Sequence, residues 1–172
     1  MLLDLLRQRR SIRKFTTTPL SSEHIEHLKE IAVRVPTSRG LNPWQFNFVS
    51  QETLIAKLSH AKPHAAGFIE QCPLAIVISG DTSCSDVWIE DCSIAAICLQ
   101  LAATELGLAS CWAQIRLRPH DEATTASDYV CSLLDLPSTQ QVVAIIGIGH
   151  PNEQKQPHPH ESLPWDHIVD FT

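Results

Sequence analysis

Cys92-Ser93-Ile94-Ala95-Ala96-Ile97-Cys98-Leu99-Gln100-Leu101-Ala102-Ala103 is apolar on nearly every side once wound at helical pitch. The pattern predicts one long helix, from about Asp86 to Leu106, with Gly107 as the residue that stops it. Ala95, Ala96, Ala102 and Ala103 keep this helix thin, so its neighbours approach closely. A helix that is apolar all round must be buried all round. Either the layers of the same domain cover it, or a partner subunit supplies part of the cover. In a chain of 172 residues the second is the expectation.

The segments around this helix read as its cover. Leu74-Ala75-Ile76-Val77-Ile78 follows Pro73 and shows no polar alternation, as in a strand covered on both faces. Val142-Val143-Ala144-Ile145-Ile146 is a second core strand, set off by Pro137. Ser110 to Ile115 reads as a strand just after Gly107, and Phe46-Asn47-Phe48-Val49 alternates like another. Leu2, Leu3, Leu5 and Leu6 mark a short first helix. Ile25, Leu28, Ala32 and Val35 form the stripe of a second, capped by Ser21 or Ser22 and ended by Pro36. Residues 52–70 read as one or two helices interrupted at Pro63, and 121–134 as another. Helices come first and strands then interleave with helices. The expectation is a single α+β domain over 1–172, built around one mostly buried sheet.

The chain of 19.1 kDa is 44% apolar and 19% charged, which excludes a disordered chain. Its net charge of −6 argues against a general nucleic-acid-coating role. No apolar stretch is long enough to span a bilayer, and Met1-Leu2-Leu3-Asp4-Leu5-Leu6 lacks the basic start of a signal peptide. The expected location is cytoplasmic, with neither nucleic acid nor membrane as a partner. The six cysteines form no C-x-x-C, and Cys72, Cys92, Cys98 and Cys111 fall in or beside apolar elements. They read as free thiols that pack as small hydrophobes.

The positive charge is concentrated at one place. Arg9-Arg10-Ser11-Ile12-Arg13 holds three guanidinium groups and a hydroxyl. Arginine forks match phosphate oxygens, and in an extended segment Arg9, Ser11 and Arg13 share a face. The same residues also suit a solvated basic end on the first helix, and charge alone does not decide between the two. His158-Pro159-His160, with His150 and His167, offers no helical i, i+4 pair and reads as a polar surface tail, not a metal site. Trp44, Trp88, Trp112 and Trp165 are each expected as core or interface anchors, with Trp112 the candidate for lying beside a planar ligand.

Further stretches join the basic cluster in a known order. Arg9 to Phe15, then Val35-Pro36-Thr37-Ser38-Arg39-Gly40-Leu41-Asn42-Pro43-Trp44-Gln45-Phe46, resembles the FMN-dependent nitroreductase family. Trp88-Ile89-Glu90-Asp91-Cys92-Ser93-Ile94-Ala95-Ala96 resembles the start of that family's long dimer helix. Leu106 to Trp112 is similar to the turn and strand that follow it, and Ile145 to Pro151 to its last core strand and exit turn. The resemblance implies a nitroreductase-like α+β fold: a mostly antiparallel sheet flanked by helices, in an intertwined homodimer with a long buried interface helix. It implies FMN at the subunit interface, two sites per dimer, with NADH or NADPH as co-substrate and a small-molecule acceptor. Carried over, Arg9, Arg10, Ser11 and Arg13 grip the FMN phosphate and ribityl chain. Pro36, Thr37, Ser38 and Gly40 reach the flavin from the other subunit. Trp112, Ala113 and Gln114 lie near its ring. The implied function is transfer of reducing equivalents to a nitro compound, quinone or enone by a ping-pong mechanism; the alternative is a flavin carrier or sensor without significant turnover.

Two departures stand out. Family members usually place Asn where Gly40 stands, and many end with a basic residue that adds a phosphate contact. Here Lys155, His158 and His160 are the candidates to replace it. No G-x-G-x-x-G is present, so a dedicated dinucleotide domain is not expected, and no residue is assigned as general base.

Overall fold

The two β-branched runs form the centre of the sheet in the computed structural model, which describes residues 1–171. β1 (Trp44–Val49) and β2 (Leu74–Asp81) pair antiparallel, with Phe46 opposite Ile78. β3 (Ala109–Gln114) and β4 (Gln140–Gly149) do the same, with Trp112 opposite Ile146. β2 and β4 join the two pairs, Ile76 opposite Ile146, so the order is β1-β2-β4-β3 and every pair is antiparallel.

Both faces of the sheet are covered. Around the sheet lie α1 (Leu2–Gln8), α2 (Ser22–Arg34), α3 (Glu52–Ser59), α4 (Trp88–Glu105) and α5 (Ala126–Leu133). α2 and α4 pack on one face, where Leu28, Ile76, Ile78, Leu99, Ile146 and Ile148 form one core layer. α3, α5 and the 3₁₀ turn Gly67–Gln71 pack on the other, with Leu58, Ile69, Val77, Ala113, Val130 and Ile145. Alternation along β2 and β4 feeds both layers, which is why neither strand shows a polar face. α4 approaches β2 so closely that a Cβ on Gly80 would stand 2.7 Å from the Trp88 ring. Gly107 follows α4 at φ +70°, the left-handed geometry expected after a helix end.

The N-terminal expectations hold in detail. Ser21 caps α2 by accepting from the backbone N–H of His24, and Glu23 lies in the first turn. α4 occupies the expected span to within two residues at each end. Its cover is incomplete within one chain: Ile94 is 42% exposed and Ile97 38%, on the side away from the sheet. All six cysteines are free; Cys72, Cys92 and Cys111 are buried, while Cys84 is exposed.

α5 begins later than residue 121. Asp121 accepts from the backbone N–H groups of Ala123 and Thr124, which draws those residues into a turn. Thr125 then caps the helix through the N–H of Asp128. A short acid bonding its own backbone competes with the helix there. The region 52–70 resolves into α3 and the start of the 3₁₀ turn, separated by bends around Pro63. Residues 151–171 carry short 3₁₀ turns after a bridge from Pro151 to Phe15 and are mostly exposed.

Candidate active site

The basic segment is held along the outer edge of β3. Ile12 donates its backbone N–H to Ser110 O at 3.1 Å, and Ser11 bridges Ser110 in parallel. The chain leaving β4 clamps it from the other side. Glu153 accepts from the N–H groups of Arg13 (2.6 Å) and Lys14 (3.3 Å), and Asn152 donates to Lys14 O. These backbone bonds, then the Lys155 ammonium, hold the Glu153 carboxyl below the usual glutamate range. Lys155 itself reaches Ser11 O at 2.6 Å.

This clamp gathers four of the groups that matter. Burial pushes the Cys111 thiol up, while Arg13, Lys155, the Ser11 hydroxyl and Arg9 act on it in the opposite direction. In an extended segment Arg9, Ser11 and Arg13 fall on one face. Arg9, Arg10 and Lys155 also line a cavity of about 380 Å³ beside Thr104 and Leu108. Arg9, Arg10 and Arg13 make no ion pair among the described residues. Unpartnered guanidinium groups held close together are a donor set suited to a phosphate. Of the three replacement bases, Lys155 is the one brought to the segment. His158 and His160 are exposed, and His160 packs against Trp165 at 4.7 Å.

Beyond Ser110 the outer edge of β3 is open. Ser110 turns its carbonyl outward to Ile12, and antiparallel alternation turns the backbone polar groups of Trp112 and Gln114 the same way. Their side chains are locked: Trp112 Nε1 donates to Gln114 Oε1 at 3.0 Å, and Gln114 Nε2 to Arg116 O at 2.9 Å. Ala113 points its methyl into the opposite core layer, so only its backbone lies near this edge. An open strand edge with fixed donors, beginning at a cluster of cations, fits a phosphate attached to a flat heterocycle such as FMN.

The segment 36–42 is built as rigidly, from the other end of α4. Ser38 donates its backbone N–H to Asp91 Oδ1 at 2.9 Å, and Arg39 pairs with Asp86. Thr37 and Asn42 exchange hydrogen bonds, Thr37 Oγ1 donating to Asn42 Oδ1 and accepting from Asn42 N. Arg39, Gly40 and Asn42 all lie at positive φ. The amide absent at Gly40 is thus present two residues on, but it is spent on Thr37. Asp91 is 2% exposed, in the first turn of α4, where a negative charge is favoured. Asp91→Ala is expected to lower stability by about 1–3 kcal/mol, because it leaves the partly buried Ser38 N–H without an acceptor. Asp91→Asn, which keeps an acceptor, should cost less. Denaturant titration of both variants separates the cases, and equal losses would show that the Ser38 bond is not what Asp91 supplies.

One chain does not bring the two motifs together. The 36–42 segment leads into β1, and the basic segment lies on β3. These are the two opposite edges of the sheet, three strand spacings or about 14 Å apart. Along α4, Ser38 is fixed at Asp91 and Arg10 lies near Thr104, a rise of about 20 Å. Each chain therefore carries the two motifs at opposite edges of its sheet.

A family model described as the nitroreductase family matches residues 6–66 and 56–150. The chain belongs to the nitroreductase family. It is similar over its whole length to an FMN-dependent nitroreductase from Clostridium difficile R20291, at 37% identity and a TM-score of 0.96, covering 99% of each chain. A nitroreductase family protein from Clostridium difficile 630 shares 26% identity over 98% of this chain and 96% of its own, with a TM-score of 0.81. A provisionally named NADH dehydrogenase/NAD(P)H nitroreductase from Archaeoglobus fulgidus is 30% identical across 89% of this chain and 87% of its own. The fold is therefore the nitroreductase-like α+β fold, and the general chemistry of the family is FMN-dependent oxidoreduction. The sequence of this nitroreductase marks both the basic segment and the 36–42 segment as candidates. It missed Asp91 as the acid that fixes Ser38 and Glu153 as the clamp on Arg13; the only available signal was an acid in the first turn of an otherwise apolar helix.

Proposed function

We propose that this nitroreductase is a cytoplasmic homodimer that takes reducing equivalents from NADH or NADPH and passes them to a small organic acceptor, such as a nitro compound, quinone or enone. The observation that carries this reading is the basic segment bonded to Ser110 at the head of the open edge of β3, with Lys155 laid on Ser11 O and Arg9, Arg10 and Lys155 lining one cavity. Arg9, Arg10, Ser11 and Arg13 hold the phosphate and ribityl chain of FMN, with Lys155 in the place of the family's terminal base. The outward backbone groups of Trp112 and Gln114 face the ring. Pro36, Thr37, Ser38 and Gly40 come from the second subunit. When bound, FMN supplies the uptake of electrons from the nicotinamide and their delivery to the acceptor.

The second subunit has a place to sit. Ile94 and Ile97 of α4, Leu2, Leu3 and Leu6 of α1, and Leu163, Trp165, Ile168, Val169 and Phe171 of the tail are all exposed. Exposed apolar side chains on α1, α4 and the tail support an interface there. A two-fold arrangement that covers the outer face of α4 joins each β3 edge to the partner's 36–42 segment.

The test is kinetic and spectroscopic. The protein should bind FMN and turn yellow, and NAD(P)H alone should bleach it under anaerobic conditions. Acceptor added afterwards should restore the colour without more nicotinamide. Steady-state rates should give parallel double-reciprocal lines, since both substrates use the same space in turn. A protein that binds FMN but is not bleached by either nicotinamide would be a carrier.

A further inference from the structure

β3 runs out into a turn built around one leucine. Ile115 and Arg116 both donate to Val143 O at 3.1 Å, and the N–H of Arg118 donates to Ile115 O at 3.1 Å, which closes a four-residue turn with Leu117 in its third place. Leu117 adopts a φ of 59° there, the left-handed region in which that place favours glycine or asparagine. The flanks hold the turn: Arg118 O accepts from Ala126 N at 2.9 Å, and Pro119 bridges Thr125. A leucine in that conformation is strained, and its side chain is 77% exposed, so no burial in its own chain offsets the strain. Of the five non-glycine residues with positive φ among the described residues, Leu117 is the one with a large apolar side chain.

The strand fixes where this side chain stands. Ala113 and Ile115 pack in the layer under α3 and α5, while Trp112 packs in the α4 layer, where the Arg116 guanidinium lies 6.0 Å from the centre of the Trp88 ring. The alternation of the open edge therefore runs on to Arg116, and Leu117 is the first side chain beyond it. α1 leads to the opposite end of β3, where Ser11 bridges Ser110, so Leu117 does not continue the exposed leucines of α1. Leu117 and Arg116 border a cavity of about 490 Å³, lined also by Thr124 and Ser127 around the start of α5. Its charges are mixed, with Arg116 and Arg118 against Asp121, Glu122 and Asp128. Acids outnumber cations there, which tolerates an uncharged guest and opposes an anion.

We propose that Leu117 is a specificity-determining residue for the acceptor: its side chain is held out as an apolar wall past the Gln114 end of β3 and, with the mixed charges beside it, selects uncharged planar acceptors over anionic ones. This rests on the flavin reading above, in which the edge from Trp112 to Gln114 faces the ring. A flat apolar acceptor seated at that end covers Leu117 and removes its apolar surface from water. The fixed turn holds the side chain in place before the acceptor arrives, so little ordering is lost on binding. Leu117 carries no electron or proton; it acts on acceptor affinity alone.

The test uses the FMN-loaded protein. In Leu117→Gly and Leu117→Asn the KM for menadione should rise about tenfold with kcat little changed, as for losing part of the burial of one leucine side chain. Ferricyanide, which needs no apolar seat, should be reduced as before, and Leu117→Met should keep most of the original KM. A reading without turnover comes from 2-naphthol, titrated against the oxidised protein and followed in the visible band of the flavin. Its dissociation constant should rise about tenfold in Leu117→Gly, and naphthalene-2-sulfonate should bind the unaltered protein less tightly than 2-naphthol. Glycine and asparagine both accept the left-handed φ, so neither variant should lose the fold. A protein that does not bind FMN, or is bleached by neither nicotinamide, would defeat the underlying flavin reading. Normal bleaching with menadione KM and 2-naphthol affinity unmoved by the variants would overturn this proposal alone. So would variants that turn monomeric in sedimentation, since Leu117 would then anchor the subunit interface, and so would a sulfonate that binds as tightly as 2-naphthol.

Discussion

Replacing Arg9 and Arg13 together with alanine is expected to weaken FMN by about two to four powers of ten, while riboflavin changes by only a few fold. Each charge-assisted hydrogen bond to a phosphate contributes about 1.5–3 kcal/mol, and the two arginines are lost together. Neither makes an ion pair among the described residues, so their removal leaves no acid unpaired. The clamp on the segment is made by the backbone N–H groups of Arg13 and Lys14, which alanine retains at position 13. The expected loss is therefore one of ligand contacts, with the unfolding transition in place. Fluorescence titration with the two flavins reads it directly. Equal weakening of both would mean that these arginines do not meet the phosphate. The Ser11 hydroxyl and Lys155 set the floor, because both remain in the double variant.

What was legible in the sequence is what depends on neighbours along the chain. The stripe and cap of α2, the unalternating runs of β2 and β4, and Gly107 after α4 are all local patterns, and each appears where its spacing puts it. Asp121 to Thr124 has a helix-tolerant composition, yet the Asp121 side chain accepts from Ala123 and Thr124 N–H while the His120 and Asp121 N–H groups donate to Thr124 O, which closes a turn ahead of the Thr125 cap. That outcome is also local, but it turns on a rotamer and not on a period.

The missing parts of the site are contacts between distant segments. Ser38 and Asp91 are 53 positions apart, and Arg13 and Glu153 are 140 apart. No periodicity marks either acid. Lys155 could be named only as the nearest strong base in the tail, and it is the exit path of β4 that lays it against Ser11. The Pro-Thr-Ser block lies in the segment that leads into β1. Sheet order is what shows that this segment and the basic cluster occupy opposite edges in one chain.

That separation gives α4 its second expected result. Ile94→Glu combined with Ile97→Glu should give a folded monomer that no longer binds FMN. The two positions lie three residues apart on the exposed side of α4, so they share one face. Across a two-fold interface each substitution appears twice. Four unpaired carboxylates at about 1–3 kcal/mol apiece oppose association by roughly 4–12 kcal/mol, which is at least about three powers of ten in the dimer constant. Ala96 is unsuitable for the same purpose: it is fully buried against the chain's own sheet, so a charge there breaks the protomer itself. Sedimentation velocity, circular dichroism and FMN titration on one preparation give the three readings required. A folded dimer with full FMN occupancy would remove this face of α4 from the interface. A folded monomer with full occupancy would mean that the β3 edge of a single chain holds FMN without the partner's 36–42 segment, and the two half-sites would then have to be assigned to different ligands.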